Sequence, residues 1–242
     1  MTITTNPYGQ QIGPALNGWT PPPRPSRMSL EGRYCRIEPL DAERHASDLH
    51  EANREAADGR FWTYLSHEPF TELEPYQGWM RQAAAGEDPL FFAVRDLRDG
   101  RAAGLFAYMR IDPAAGSIEL GHVNFSPRLQ RTRVATEAVY LMLAHAFETL
   151  GYRRFEWKCD SLNAPSRAAA LRFGFTFEGI FRQATVYKGR SRDTAWFSII
   201  DGEWPALAAA YRAWLAPDNF DEAGLQRAPL GCASREIPPS SP

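Results

Sequence analysis

The chain has 242 residues, 44% hydrophobic and 12% aromatic, enough to close one good core with peripheral decoration, so one main domain is expected. A formal net charge of −2 gives no global attraction to nucleic acid or anionic lipid, and any basic feature must act locally. Cys35, Cys159 and Cys232 are far apart, odd in number and without C-x-x-C spacing, which supports neither a disulfide framework nor a metal site and fits a reducing cytoplasm. No targeting segment is read at the start and no apolar run has the length a bilayer demands, so a cytoplasmic protein off the membrane is expected. The cations are nearly all arginine; Lys158 and Lys188 are the exceptions, and coding bias explains the pattern.

Residues 1–29 are rich in Pro and Gly and without period, which predicts an extended arm that Trp19 pins to the body. "RYCRIEPL" (33–40) alternates as a strand, and Asp41 caps a polar helix running to about Ala57. A second helix is predicted over 71–85, stopping at Gly86. "LFFAVRDL", the turn "RDGR" and "AAGLFAYMRID" form a hairpin, and "PAAG" leads into "SIELGHVNF", giving three consecutive antiparallel strands.

In that third strand Ile118 and Leu120 place the apolar face on even numbers, whereas Val123 and Phe125 place it on odd ones. The phase flips across Gly121 and His122, which predicts a bulge bending the strand away from its neighbour. From Thr132 to Leu150 two parallel apolar rows, Val134/Ala138/Met142/Ala146/Leu150 and Ala135/Val139/Leu143/Phe147, mark a helix with Gly151 as its stop.

"RRFEWKC" (153–159) alternates as a strand, and the next helix opens at Asn163 as N-cap and closes at Gly174. A final hairpin, "FTFEGIFRQATVYKG" against "DTAWFSIID", precedes a helix from about Glu203 to Leu215. From about Asn219 the chain turns loose again and is expected to wander over the surface. The order predicts an α/β fold: a mixed central sheet of about seven strands, helices on both faces, and a parallel right-handed crossover in its second half. The boundaries are an arm over 1–29, a domain over 30–216 and an irregular tail over 217–242.

One stretch carries chemistry. Gln130, Arg131, Thr132, Arg133, Val134, Ala135 and Thr136 run directly into the helix, whose first amides lack intrahelical partners and sit at the positive end of its dipole. The predicted guest is a polyphosphate. Neither G-x-x-x-x-G-K-[ST] nor G-x-G-x-x-G is present, so ordinary nucleotide triphosphatases and dinucleotide enzymes are set aside.

The stretch resembles the acyl-CoA loop of the GNAT superfamily of N-acetyltransferases, Q/R-x-x-G-x-G/A, with Ala135 fitting and Arg133 in the place of the usual first glycine. "LGYRRFEWKCDSLNAPSRAAALRFGFTFEGIFR" is similar to the family's second half, with an Asn-x-x-Ser helix start followed by G-F-x-x-E-G. The resemblance covers roughly 30–216 and is closest to the ribosomal-protein alanine N-acetyltransferases (RimJ/RimL type). It implies acetyl-CoA as cosubstrate, no metal, and pantetheine between the bulged strand and the Phe155–Cys159 strand.

Acetyl transfer to an amine needs a neutral amine, a stabilised oxyanion and a proton for the departing thiolate. Backbone amides from His122 through Val123 and Asn124 to Phe125 are the expected oxyanion donors. Asn163 is expected to cap its helix and, by the resemblance, to hold pantetheine or the amine; Ser166 is the candidate proton donor. Glu119 and His122 are the candidate bases, with side chains expected on different faces, and Glu137 reads as a helix-face carboxylate. Arg167 and Arg172 are candidate phosphate ligands. Phe61, Trp62, Tyr64, Trp79 and Tyr187 read either as an acceptor pocket or as core.

The acceptor amine is left open between a protein N-terminus and a small molecule. Two other classes remain: a CoA- or nucleotide-binding sensor without turnover, supported by Arg133 at the glycine place, and an RNA-binding module, which the acidic balance outside "RLQRTR" opposes, so no nucleic-acid partner is expected. Docking of the proline-rich arm on a neighbouring subunit would make the protein a homo-oligomer.

Overall fold

The computed structural model describes residues 4–56 and 58–231. The elements in chain order are β1 (Thr4–Thr5), β2 (Gln11–Ile12), β3 (Leu30–Glu31), β4 (Cys35–Pro39), α1 (Ala42–Arg54), α2 (Leu73–Ala85), β5 (Leu90–Asp96), β6 (Ala102–Asp112), β7 (Ser117–Phe125), α3 (Arg133–Ala144), β8 (Arg154–Asp160), α4 (Ala164–Arg172), β9 (Thr176–Tyr187), β10 (Arg190–Ile200) and α5 (Trp204–Trp214). A short 3-10 turn, Arg60–Trp62, interrupts the segment between α1 and α2.

The main sheet has the order β3-β4-β5-β6-β7-β8-β10-β9. Every neighbouring pair is antiparallel except β7–β8. The expectation of about seven strands is corrected to eight, because two-residue β3 adds an edge to β4; β1 and β2 form a separate small ladder inside the arm.

Each sheet face has its own core. On one, Ile118, Leu120, Phe155 and Trp157 pack under α3, α4 and α5 through Val139, Ala170 and Tyr211. On the other, Phe91, Ala93, Leu105 and Ala107 pack against Leu49 of α1 and Met80 of α2. The apolar stripe of each helix thus meets one pleat face, which is how alternation in the strands and a 3.6-residue period in the helices are both satisfied.

The helix ends follow from local chemistry. Asp41 accepts from the amides of Glu43 and Arg44 to start α1. Gly151 adopts φ +81° where the chain leaves the helical run, and the amide of Tyr152 bonds the Ala146 carbonyl.

That run is not α-helical throughout, as expected from Thr132 to Leu150: its last turn, His145–Leu150, is a π-helix. Tyr108, fully buried in β6, donates its hydroxyl to the Met142 carbonyl at 2.6 Å, and a side chain inserted into the helix ladder widens the turn that follows.

The tail also departs from expectation. Phe220 is only 7% exposed, edge-on to Trp214 at 5.1 Å between ring centroids, and the Trp214 indole donates to Gln226 at 2.9 Å. An aromatic side chain in a polar stretch covers apolar surface that α5 leaves open, so the chain is held down there. Cys232 lies outside the described residues. In the arm, Trp19 packs on Gly116, where a Cβ would come within 3.1 Å of its ring.

Candidate active site: an opening in the sheet beside a helix start

β7 and β8 pair only at their beginnings, Ser117 with Arg154, Ile118 with Phe155 and Glu119 with Glu156. Beyond Glu119 the edge of β7 facing β8 has no partner strand among the described residues. On its other side the ladder to β6 skips from Leu105–Asn124 to Ala107–Gly121, so His122 and Val123 together oppose Phe106. This is the expected bulge.

The left-handed residue in it is His122, at φ +49°, and not Gly121. Gly121 has a different reason to be glycine: a Cβ there would strike the Met109 sulfur and come within 3.2 Å of Glu119 Oε1. The extra residue restores the apolar face, so Ile118, Leu120, Val123 and Phe125 all meet the core beneath α3.

One consequence corrects the sequence reading. With those four on one side, Glu119, His122 and Asn124 share the opposite face, toward α1 and α2, rather than dividing between faces. Glu119 is 2% exposed, bonded to Arg110 at 2.7 Å through Oε1. Lys158 Nζ lies 3.2 Å from Glu119 Oε2 outside hydrogen-bond geometry and 2.6 Å from Glu156 Oε2, and sits 3.8 Å above the Trp196 ring. Burial pushes the Glu119 carboxyl above the ordinary carboxylate range, while Arg110 and Lys158 pull the other way.

His122 packs its ring 5.0 Å from Phe91, in a cleft lined by Trp62, His67, Tyr76, Trp79 and Asn124. Burial, then His67 and Arg110, draw the His122 imidazole down to about 4, so it is neutral at physiological pH. Burial and Lys188 lower His67 as well.

The aromatic set divides. Trp62 and Trp79 line the cleft, with Phe61 packed on Trp62 at 5.5 Å. Tyr64 and Tyr187 act as struts, donating to the Leu162 carbonyl at 3.0 Å and to Asp160 Oδ2 at 2.9 Å.

On the α3 side, Asn163 caps α4 by accepting from the Ser166 amide at 3.1 Å. The Ser166 hydroxyl oxygen accepts from the Trp157 indole at 2.9 Å, so this side chain is turned toward β8. Arg167 donates to the Ser161 carbonyl at 3.2 Å, beside the start of α4. It is Arg172, at the other end of α4, that reaches the start of α3, donating to Thr136 Oγ1 at 3.1 Å.

The loop before α3 places its expected donors unevenly. Arg131 holds the left-handed conformation at φ +62°, and Arg133, in the usual glycine place, is simply the first helical residue. Thr132 is the N-cap: its hydroxyl donates to the Leu129 carbonyl at 2.7 Å and accepts from the Ala135 amide at 3.2 Å. Thr136 is 1% exposed and bonds the Thr132 carbonyl, so its hydroxyl does not face outward as an anion donor.

The Arg133 guanidinium lies 4.5 Å from the Tyr34 ring and 5.2 Å from that of Phe220, a cation–π stack that draws it off the helix axis. Gln130 is exposed and donates to the Phe125 carbonyl at 2.7 Å. The amides of Arg131, Arg133 and Val134 have no hydrogen-bond partner among the described residues, as expected of N–H groups at a helix start.

Glu137 corrects the helix-face reading. Only 4% exposed, it accepts from the backbone amides of Arg33, Tyr34 and Cys35 at 2.8, 2.6 and 2.8 Å, anchoring the turn into β4.

Sequence reasoning passed over Lys158 and Lys188. Lys188 donates to the Trp62 carbonyl at 2.9 Å, tying the β9–β10 tip to the segment before α2. In a chain whose cations are otherwise arginine, the two lysines were a readable signal: at Lys158 a compact ammonium lies between two carboxylates over an indole. His67 carried no such mark, lying in an aperiodic loop.

Residues 35–176 match the acetyltransferase (GNAT) domain family. The chain is similar to the crystal structure of a GCN5-related N-acetyltransferase from Brucella melitensis, with 51% identity and a TM-score of 0.87, covering 89% of this chain and 97% of that one. A structure from Chromobacterium violaceum, described as a probable acetyltransferase of the GNAT family, is 45% identical with a TM-score of 0.74, covering 80% and 96% respectively. The uncharacterized N-acetyltransferase p20 of Bacillus licheniformis is 25% identical over 145 residues, 58% of this chain and 80% of that protein.

Proposed function

The chain belongs to the acetyltransferase (GNAT) family and is an N-acetyltransferase, and from that premise we propose that it moves an acetyl group from acetyl-CoA directly to a primary amine, a protein N-terminus or a small amine, in the cytoplasm. The observation that carries this reading is the opening in the sheet: β7, bulged at His122, loses β8 after Glu119, and the unpartnered amides of Arg133 and Val134 stand at the helix that follows.

Acetyl-CoA, when bound, supplies the acyl group as a thioester. The α3 amides, with Arg131 beside them, hold its diphosphate, since amides at a helix start carry the positive end of the dipole. The edge of β7 that β8 leaves unpaired donates amides from the His122–Phe125 stretch to the acyl carbonyl oxygen as it gains charge. Asn163 and Ser166 lie on the α3–α4 side of the opening; Glu119 and His122 lie on the α1–α2 side. The sheet therefore separates donor from acceptor and lets them meet through one gap.

The amine enters by the cleft of Trp62, Trp79 and His67. Glu119, with its raised carboxyl pKa, takes the proton that the amine loses as the N–C bond forms. Ser166 gives its hydroxyl proton to the sulfur as the C–S bond breaks and takes one back from solvent, while Glu119 releases the amine's proton to solvent. Lys158 and Arg110 hold Glu119 in place.

The experiment is calorimetric titration with acetyl-CoA, followed by free-thiol release over a panel of peptides and small amines. Binding with amine-dependent thiol release is expected. Absence of binding, or binding without release across the panel, overturns the reading.

A further inference from the structure

Behind the acceptor cleft, between α1 and the segment leading to α2, lies a separate cavity of about 350 Å³, a size typical of small-molecule sites. Trp62 and Tyr76 are its shared wall with the acceptor cleft. Its own lining brings together His50, Asn53 and Arg54 from α1 with Phe70.

Two buried polar atoms here have no hydrogen-bond partner, His50 Nε2 and Asn53 Oδ1. His50 is 8% exposed. Asn53 is oriented by its own amide, whose Nδ2 donates to the Tyr76 hydroxyl at 3.4 Å, which leaves Oδ1 as a fixed acceptor. A buried polar atom left unpaired costs about 1–3 kcal/mol, a penalty that a ligand group bonding it would remove. Arg54, exposed at the rim, has no ion-pair or hydrogen-bond partner among the described residues, although neighbouring arginines do: Arg60 is bound to Asp58 at 2.7 Å and Arg128 to Glu51 at 3.0 Å.

We propose that this cavity is a binding site for a small monocarboxylate with a flat apolar body: the carboxylate on Arg54, the body against Trp62, Phe70 and Tyr76, and polar groups on the body meeting Asn53 Oδ1 and His50 Nε2. Arginine meets a carboxylate with two parallel donors, and aromatic walls favour a planar partner. Asp58 also lines the cavity, and Arg60 holds its carboxyl at about 2, so it stays negative at neutral pH. Its charge is met by Arg60, which leaves Arg54 as the unpaired cation of the lining among the described residues.

The test uses the full chain and two probes of the same shape, indole-3-acetate and indole-3-acetamide, titrated calorimetrically. Indole-3-acetate is expected to bind about tenfold more tightly than the amide. Arg54→Gln, a change at an exposed position that leaves the fold intact, removes that difference, and Asn53→Leu weakens both probes alike. No binding of indole-3-acetate, equal affinity for the two probes, or an unchanged preference in Arg54→Gln overturns the proposal. These titrations use neither acetyl-CoA nor an amine acceptor and stand apart from the transfer reaction.

Discussion

The Trp157 indole nitrogen donates to the Ser166 hydroxyl oxygen at 2.9 Å across the gap between β8 and α4. The bond occupies one lone pair of Ser166, whose hydroxyl also meets the Cys159 thiol; sulfur is a weak acceptor, so the O–H can turn from it toward another. A general acid needs that arrangement: an oxygen held in place and a proton free to leave.

Ser166→Ala is therefore expected to lower kcat by about 10²-fold with little change in KM for acetyl-CoA. The buried Trp157 indole loses its partner in the same variant, which costs about 1 kcal/mol or more of stability. Steady-state kinetics and urea unfolding read the two effects separately. An unchanged kcat would assign Ser166 a structural role only.

Glu119 supplies a pH signature. Its carboxyl titrates above the ordinary carboxylate value, so kcat/KM should climb with rising pH along a limb displaced upward from that value, as the base ionises. Glu119→Gln should abolish the limb and lower kcat by about 10²-fold. The stability sign is opposite: a raised folded pKa favours the folded chain at pH below the unfolded value of 4.5, and that contribution is lost as pH rises through the folded one. A limb that persists in Glu119→Gln would move the base elsewhere.

His122 behaves in reverse. Its folded imidazole titrates at about 4 against a reference of 6.5, so the unfolded chain binds more protons between those values. The resulting stability is complete above pH 6.5 and falls as pH drops toward 4, by on the order of 3 kcal/mol. Thermal melts of the native chain and His122→Phe between pH 4 and 7 check this: the native melting temperature should fall more steeply on acidification. Parallel curves would show that His122 is not held neutral.

Glu137 predicts a stability loss with a structural cause. Removing a carboxylate that accepts three backbone amides leaves the buried amide of Cys35 and the part-buried ones of Arg33 and Tyr34 without that partner. Glu137→Ala should cost about 3 kcal/mol, measured by urea denaturation. A change below about 0.5 kcal/mol, the range of ordinary surface substitutions, would mean that water replaces the carboxylate.

Much of this architecture was legible in the chain. Local rules located the caps at Asp41 and Asn163, the stop at Gly151 and the antiparallel run from Leu90 to Phe125, because each depends on groups a few residues apart. The phase flip at Gly121–His122 also reported the bulge, since a pleat can reverse its apolar side only by inserting a residue.

Which face each side chain occupies beyond the bulge, and what meets it there, was settled by partners distant in sequence. Glu137 reads as a helix-face carboxylate until the turn before β4 arrives with three unpaired amides, more than a hundred positions earlier in the chain. Lys158 reads as an alternating strand residue until Glu119 and Trp196 close around it. Arg133 and Phe220 meet only because α5 returns the chain beside α3. Local dihedral preferences and hydrophobic period fix elements, and the sequence held those. Burial, desolvation and charge pairing depend on which elements pack together, so the folded chain alone decided the titrating groups and the two clefts.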